Sequence, residues 1–440
     1  MARGGFSEAH VRRVFWRAGF GATEREATRW AKRGRAATLE WLLRPNGKPA
    51  RLVPGSRLQL DPLNEYGHDV LWWLDRMVRT TRPLEEKMAL FWHDHFATRD
   101  QDTPLMLRQN HLFRRGALGS FPKLLAGVLE DPAMGFFLNV IGSHKDEPNE
   151  NFARELMELF TLGEGRGYSE RDIREAARAL TGYREGREVA GVVSGVWFDP
   201  EAHDPGVKTI FARRGAFRPR AALRLCLEHP QHARFLVGKL WSFFVDEPLD
   251  RATRLALQRR YVRSGGRIKP VVAAILDHPA LYADLDRPGM VKAPLVLVAG
   301  LLRTTGVGLA SDDWQWMLSG MGQRPFSPPS VAGWEWGPAW LDTSAMHARY
   351  LAANSLLDVP PVKVEEDSTP LDLTPEQHLE RALAVTGRPW ISDRTGRQLK
   401  TLATRYRAMA DREWKVQTAA DMTQRALRHL LLSGPDAQLH

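Results

Sequence analysis

Apolar residues along this chain recur mainly at three- and four-residue spacings, the period of helices buried on one face. Ser7 reads as the cap of a helix running through Phe15 to a stop at Gly19. Thr23 reads as the cap of a second helix ending at Gly34. A Pro- and Gly-punctuated loop is expected over 45–61, then helices over 63–80 and 83–97. The latter has Pro83 in its first turn, where a missing N–H costs nothing. Asn149–Tyr183 reads as two helices joined by a glycine-rich turn, with Ser169 and Asp172 spaced as a capping box for the second. Further helices are predicted near 219–228, 231–245, 250–263, 268–278 and 291–304. The period breaks over 186–215, where glycines and Val189, Val192, Val193 and Val196 predict a short β-hairpin. The expected fold class is therefore all-α, an irregular multi-helix domain with a small β-hairpin insertion near 186–215. Residues 1–358 are expected to form the main helical domain and 359–373 a polar linker. Thr374-Pro375-Glu376-Gln377 would open a C-terminal helical subdomain over 374–440. No repeat of fixed period is visible, which argues against a solenoid.

Composition narrows this picture only in places. With 440 residues, 43% hydrophobic and 26% charged, the chain has the make-up of an ordinary soluble globular protein. Its single cysteine, Cys226, excludes intrachain disulfides and cysteine-rich metal sites. Residues 1–57 hold 13 Lys and Arg against 4 Asp and Glu, so nine of the ten net positive charges lie there. Such a region attracts nucleic acid, anionic lipid or an acidic ligand, or it is simply a solvated arginine-rich surface. The second reading is preferred, and nucleic acid is not the expected partner. No run reaches the roughly 18 apolar residues that span a bilayer, so no membrane span is expected. Arg12-Arg13 is not followed by a sustained apolar stretch, and a cytoplasmic protein is expected.

Chemistry could sit in three places. In Phe91-Trp92-His93-Asp94-His95-Phe96 the two histidines lie about 200° apart on a helix, so they cannot chelate from one face. Leu84, Met88, Phe91, Trp92 and His95 share one apolar stripe, which points His95 at the core and His93 elsewhere. His95 is then either a hydrogen-bonded core residue or a ligand or general base in a pocket. On the Asn149–Gly163 helix, Asn151, Glu155 and Glu158 share a flank beside the stripe of Phe152, Leu156, Leu159 and Phe160. Glu150, Arg154 and Thr161 fall on the far side. Two carboxylates so placed bind a metal or hold a proton, or join a buried polar network. His203-Asp204-Pro205-Gly206, followed by Lys208, lies in a loop, where an adjacent His and Asp serve as ligands, as an acid–base pair, or as a turn closure. The expected site thus joins His95, Glu155, His203 and Asp204 as catalytic groups, around a divalent metal held by His95, Glu155, Glu158 and Asp204. Asp94, Asn151 and Lys208 would support it, and the chemistry would be hydrolytic or acid–base. His229 and His232 straddle Pro230 and read as capping residues. The tryptophan-rich stretch 311–342 either stacks on sugar rings or locks an irregular segment onto the core. Neither HExxH, GxxxxGK[ST] nor GxSxG occurs.

Seven ordered blocks resemble one bacterial family, known as domain of unknown function 1800. They are Arg17–Gly21, Phe91–Phe96, Asn149–Tyr183, His203–Lys208, Lys239–Trp241, Met321–Trp334 and Leu430–Gln438. Gly238 stands where the motif has arginine, and the tail Ser433–Ala437 also departs. The resemblance implies kinship but carries no known activity. It implies a sulfatase-like partner and an envelope or polysaccharide setting. A non-catalytic scaffold or glycan-binding protein, holding a partner through the tryptophan segment and the basic N-terminus, is the alternative to an enzyme. A fainter likeness, of the 151–183 helix pair and Asp94-His95 to animal-type haem peroxidases, makes haem a further alternative, although no proximal histidine is evident.

Overall fold

The computed structural model describes residues 5–44, 58–99, 102–189, 192–193, 195–408 and 413–440. Most of the loop expected over 45–61 lies outside them. The helices in chain order are α1 (Glu8–Arg17), α2 (Glu24–Leu43), α3 (His68–Arg79), α4 (Pro83–His95), α5 (Thr103–Gly116), α6 (Phe121–Leu129) and α7 (Pro132–Phe137). Next come α8 (Asn151–Glu155), which passes into a π-helical turn over Leu156–Thr161, and α9 (Glu170–Leu180). They are followed by α10 (Pro219–Glu228), α11 (Pro230–Phe244), α12 (Arg251–Arg263) and α13 (Ile268–Leu276). The last six are α14 (Pro294–Thr304), α15 (Trp314–Gly320), α16 (Thr343–Leu356), α17 (Pro375–Val385), α18 (Asp393–Ala408) and α19 (Glu413–Ser433). Three two-stranded antiparallel ladders occupy the region between α9 and α10, where the hairpin was expected. The protein is thus all-α with a small β insertion.

Caps fall where the side chains direct them. Thr23, Ser169 and Thr374 each accept from the backbone N–H three residues on, and Glu26, Asp172 and Gln377 answer back. Gly34 breaks α2 with φ +78° but does not end it, because the chain resumes helical geometry and continues to Leu43.

The chain divides into two compact units, one of residues 1–83, 279–324 and 335–440, the other of 84–278 and 325–334. In the first, α14 is buried at every position from Pro294 to Leu302, as expected of a helix apolar on all sides. Gly300 lets the Trp16 ring lie against it, since a Cβ there would come within 2.1 Å of the indole. Residues 374–440 belong to this unit, yet α17–α19 carry a core of their own from Leu379, Ala382, Leu399, Ala403, Leu427 and Leu431. In the second unit Trp92, Phe96, Phe113, Phe121 and Phe160 are fully buried. Phe96 lies 5.1 Å from Phe160 and 6.0 Å from Phe121, ring centre to ring centre. Arg114 and Glu86 form a buried ion pair at 2.6 Å in the same unit.

Candidate functional site

Three successive polar side chains on α4 make three different attachments. His95, only 1% exposed, lies 3.1 Å through Nε2 from the Phe160 carbonyl. A carbonyl only accepts, so Nε2 carries the proton and Nδ1 is left with a lone pair. That atom has no hydrogen-bond partner among the described residues. Phe91, Trp92, Phe96, Phe121, Phe160 and Phe235 surround the ring. Burial, with Lys239 adding to it, holds the pKa well below the ordinary histidine value. His93 is equally buried but faces elsewhere, as the helical spacing requires. Its Nε2 accepts from the Phe326 N–H at 3.0 Å, and burial lowers its pKa to about 3. Asp94 accepts from the Trp334 N–H at 2.9 Å. His93 and Asp94 therefore fasten the Pro325–Trp334 segment, while His95 holds the π turn.

That π turn explains where the helical-wheel reading fails. Each residue of a π-helix rotates less about the axis than in an α-helix, so the phase drifts from Leu156 onward. Thr161, expected on the far side, is fully buried; its hydroxyl donates to Leu156 O and its carbonyl faces inward. His232 donates to that carbonyl through Nδ1 at 3.1 Å and accepts from the Tyr261 hydroxyl through Nε2 at 2.8 Å. Its pKa is lowered by burial to about 4. Only His229 of the expected capping pair caps, accepting from the Gln231 N–H; His232 is a core residue. On the outer flank Glu155 is half-buried, and burial first, then repulsion by Glu158, raise its pKa. Arg154 bonds Glu150, Glu158 and Glu170, tying α8 to α9. Asn151 is exposed and donates to the Asn139 side chain.

The His203–Lys208 loop closes on itself. Asp204 accepts from Arg178 Nε and from the Gly206 N–H, both at 2.7 Å. Burial opposes its ionisation, but Arg178, the Gly206 N–H and Lys208 outweigh that and hold its pKa below the ordinary value. Lys208, whose side chain is wholly buried, donates to the carbonyls of Asp204 and Gly206. His203 donates through Nδ1 to the Thr181 carbonyl at 3.0 Å, and its ring lies 5.3 Å from Phe198. From α9, Asp172 accepts from the Phe211 N–H and Glu175 from the Thr209 N–H. Asp172, Glu175 and Arg178 recur every three residues on α9, and that spacing was the available signal for a helix that holds this loop.

The groups expected to meet are therefore engaged separately. Among the described residues no group of three or more His, Cys, Asp or Glu is arranged to hold a metal ion. The metal set His95, Glu155, Glu158 and Asp204 is accordingly not assembled. His95 acts on a helix carbonyl, Glu155 responds to Glu158 and Arg154, and Asp204 is committed to Arg178 and Lys208. The basic N-terminal helices are not simply solvated either. Arg13 donates to the carbonyls of Leu281, Ala283 and Asp284, and buried Arg17 donates to the main-chain oxygen of His440 at 2.7 Å.

The tryptophan-rich stretch splits in two. Trp314, Trp334 and Trp340 are buried, whereas Trp336 is 37% exposed and Trp316 is 58% exposed. The Trp316 ring lies 5.7 Å from that of Tyr66, which is 70% exposed, and the Arg324 guanidinium sits 5.1 Å over Tyr66. Asp69, close enough to feel Arg324, is half-buried, and burial raises its pKa. Nothing in the Trp-x-Trp pattern distinguished the buried Trp314 from the exposed Trp316 except their two-residue offset on a helix.

No helix among the described residues is long and apolar enough to cross a membrane. No curated protein and no solved structure matches the chain. The family model described as "Protein of unknown function (DUF1800)" matches residues 13–439, nearly the whole chain, and the protein belongs to that family.

Proposed function

We propose that this is a carbohydrate-binding protein that grips a polysaccharide on Tyr66 and Trp316. The observation that carries this reading is the exposure of two large neighbouring rings on the surface of one unit. Exposed aromatic faces are costly in water and mark contact surfaces, and their apolar faces match the C–H faces of pyranose rings. Arg324 adds donors for sugar hydroxyls beside the Tyr66 ring, with the Asp69 carboxyl within its electrostatic reach. The sulfatase-like partner implied by the family resemblance makes sulfated polysaccharides the first class to try. The test is co-sedimentation of the full chain with insoluble neutral and sulfated polysaccharides. Trp316→Ala or Tyr66→Ala should weaken binding about tenfold each while leaving the circular dichroism unchanged. Undiminished binding by the double variant would remove the platform from consideration.

A catalytic reading retains one specific support, the buried and unpartnered Nδ1 of His95. In that reading His95 would act as a base or ligand in hydrolytic or acid–base chemistry, and Glu155, whose pKa burial raises, would join it around a divalent metal or haem only if the groups that now engage the two separately rearranged. His203 and Asp204 would take part only if the loop opened, because Arg178 and Lys208 occupy Asp204. Metal analysis and an absorption spectrum of purified protein separate the readings. A stoichiometric metal lost in His95→Ala, or a haem Soret band, would favour the enzyme.

A further inference from the structure

A second site lies in the unit built from both ends of the chain. One face of α1, carrying Arg12, Arg13 and Trp16, lines a cavity of about 140 Å³ together with Lys292, Arg388 and Trp390. Four cationic side chains reach this cavity and no acidic side chain lines it; leucines complete its walls. Two of the cations are already engaged. Arg388 pairs with Glu24 and Glu380, and Arg13 is bound to backbone carbonyls. Arg12 is held more loosely, by a 3.9 Å contact with Glu8, a long hydrogen bond to the Gly387 carbonyl and the longer-range attraction of Glu24.

Lys292 is the unusual member. It is 5% exposed, its Nζ donates to the Ala437 carbonyl at 2.7 Å, and the Trp16 ring centre lies 4.1 Å away. The charged group that acts on it, Arg349, is itself positive, and burial with that repulsion lowers its pKa to about 7. Buried cations are normally paired with an anion or given a task. Here a buried lysine is part of the lining of a ring-sized hollow whose remaining walls are largely apolar. A cavity of roughly this volume, about 150 Å³, accommodates benzene in an engineered protein.

We propose that this cavity binds a small organic anion, a single carboxylate on an apolar body about the size of one six-membered ring. The carboxylate lies on Lys292 and Arg12, and the apolar body lies against Trp390 and the leucine walls. The proposal is independent of the polysaccharide reading, which uses Tyr66 and Trp316. Calorimetric titration of the full chain with benzoate, benzyl alcohol and inorganic phosphate tests it. Benzoate should bind at one site, with benzyl alcohol roughly tenfold weaker or worse, and phosphate should not compete. Lys292→Met should abolish benzoate binding. Arg12→Gln, at a partly exposed position, should weaken it by about tenfold and keeps the test valid if the lysine variant fails to fold. Failure of benzoate to bind at millimolar concentration overturns the proposal. So does equal affinity for benzyl alcohol, competition by phosphate, or unchanged benzoate binding in the Arg12 variant.

Discussion

Three histidines of the second unit, His93, His95 and His232, are buried as neutral rings, and each has a backbone partner that fixes its tautomer. In the unfolded chain each titrates near ~6.5. Above that pH neither state binds the extra proton, and these residues add no pH dependence. Below it only the unfolded chain binds the proton, so stability falls as pH drops through ~6.5 and, for His232, keeps falling to about 4. Each ring can contribute up to about 1.4 kcal/mol per pH unit in that window. Asp131, whose pKa burial raises to about 6, acts in the opposite sense below that value. A single substitution isolates one histidine from this background. His232→Gln should lower stability at neutral pH and flatten the acid limb of the urea midpoint by about one proton. An acid limb as steep as the wild type's would show that His232 does not stay neutral in the fold.

At the level of elements, the junctions bear the constraints. Gly182 joins α9 to the first strand, Tyr183–Glu185, with φ +105°. A Cβ there would lie 2.9 Å from the Asp199 carbonyl and 3.0 Å from the His203 Cβ. Gly182→Ala should therefore destabilise by about 2 kcal/mol, through backbone strain and displacement of the His203 loop. Chemical denaturation measures this, and a variant as stable as wild type would contradict the close packing at that turn. The α8 segment teaches a related point. Of its expected apolar stripe, Phe152, Leu156 and Phe160 are buried, but Leu159 is only half-buried and Met157 is buried in addition. Thr161 was misplaced because i→i−5 backbone bonding, as from the Leu162 N–H to the Met157 carbonyl, leaves no simple mark in a single sequence.

For the whole molecule, the net charge of +10 does not amount to one diffuse field. Arg13 and Arg17 serve as internal donors, whereas Lys32 is exposed. Arg17→Met should cost about 2–3 kcal/mol, because it removes a charged donor from the buried main-chain oxygen of His440. Lys32→Gln should stay within about 0.5 kcal/mol of wild type. Unfolding free energies for the two variants decide the matter; equal effects would restore the picture of a solvated basic surface.

Local sequence was enough for the helical architecture, the caps at Thr23, Ser169 and Thr374 and the place of the β insertion. These depend on local periodicity and on side chains that reach only three or four residues. It also separated His93 from His95, since spacing on one helix suffices for that. Tertiary structure alone decided what those side chains meet. The pairing of His95 with Phe160, of Asp204 with Arg178 and of Lys292 with Trp16 joins residues far apart in the chain. Periodicity tells which face of a helix is buried but not which partner lies opposite. Burial then sets the chemistry, because the same imidazole or ammonium group keeps or loses its proton according to the charges and solvent that the fold brings around it.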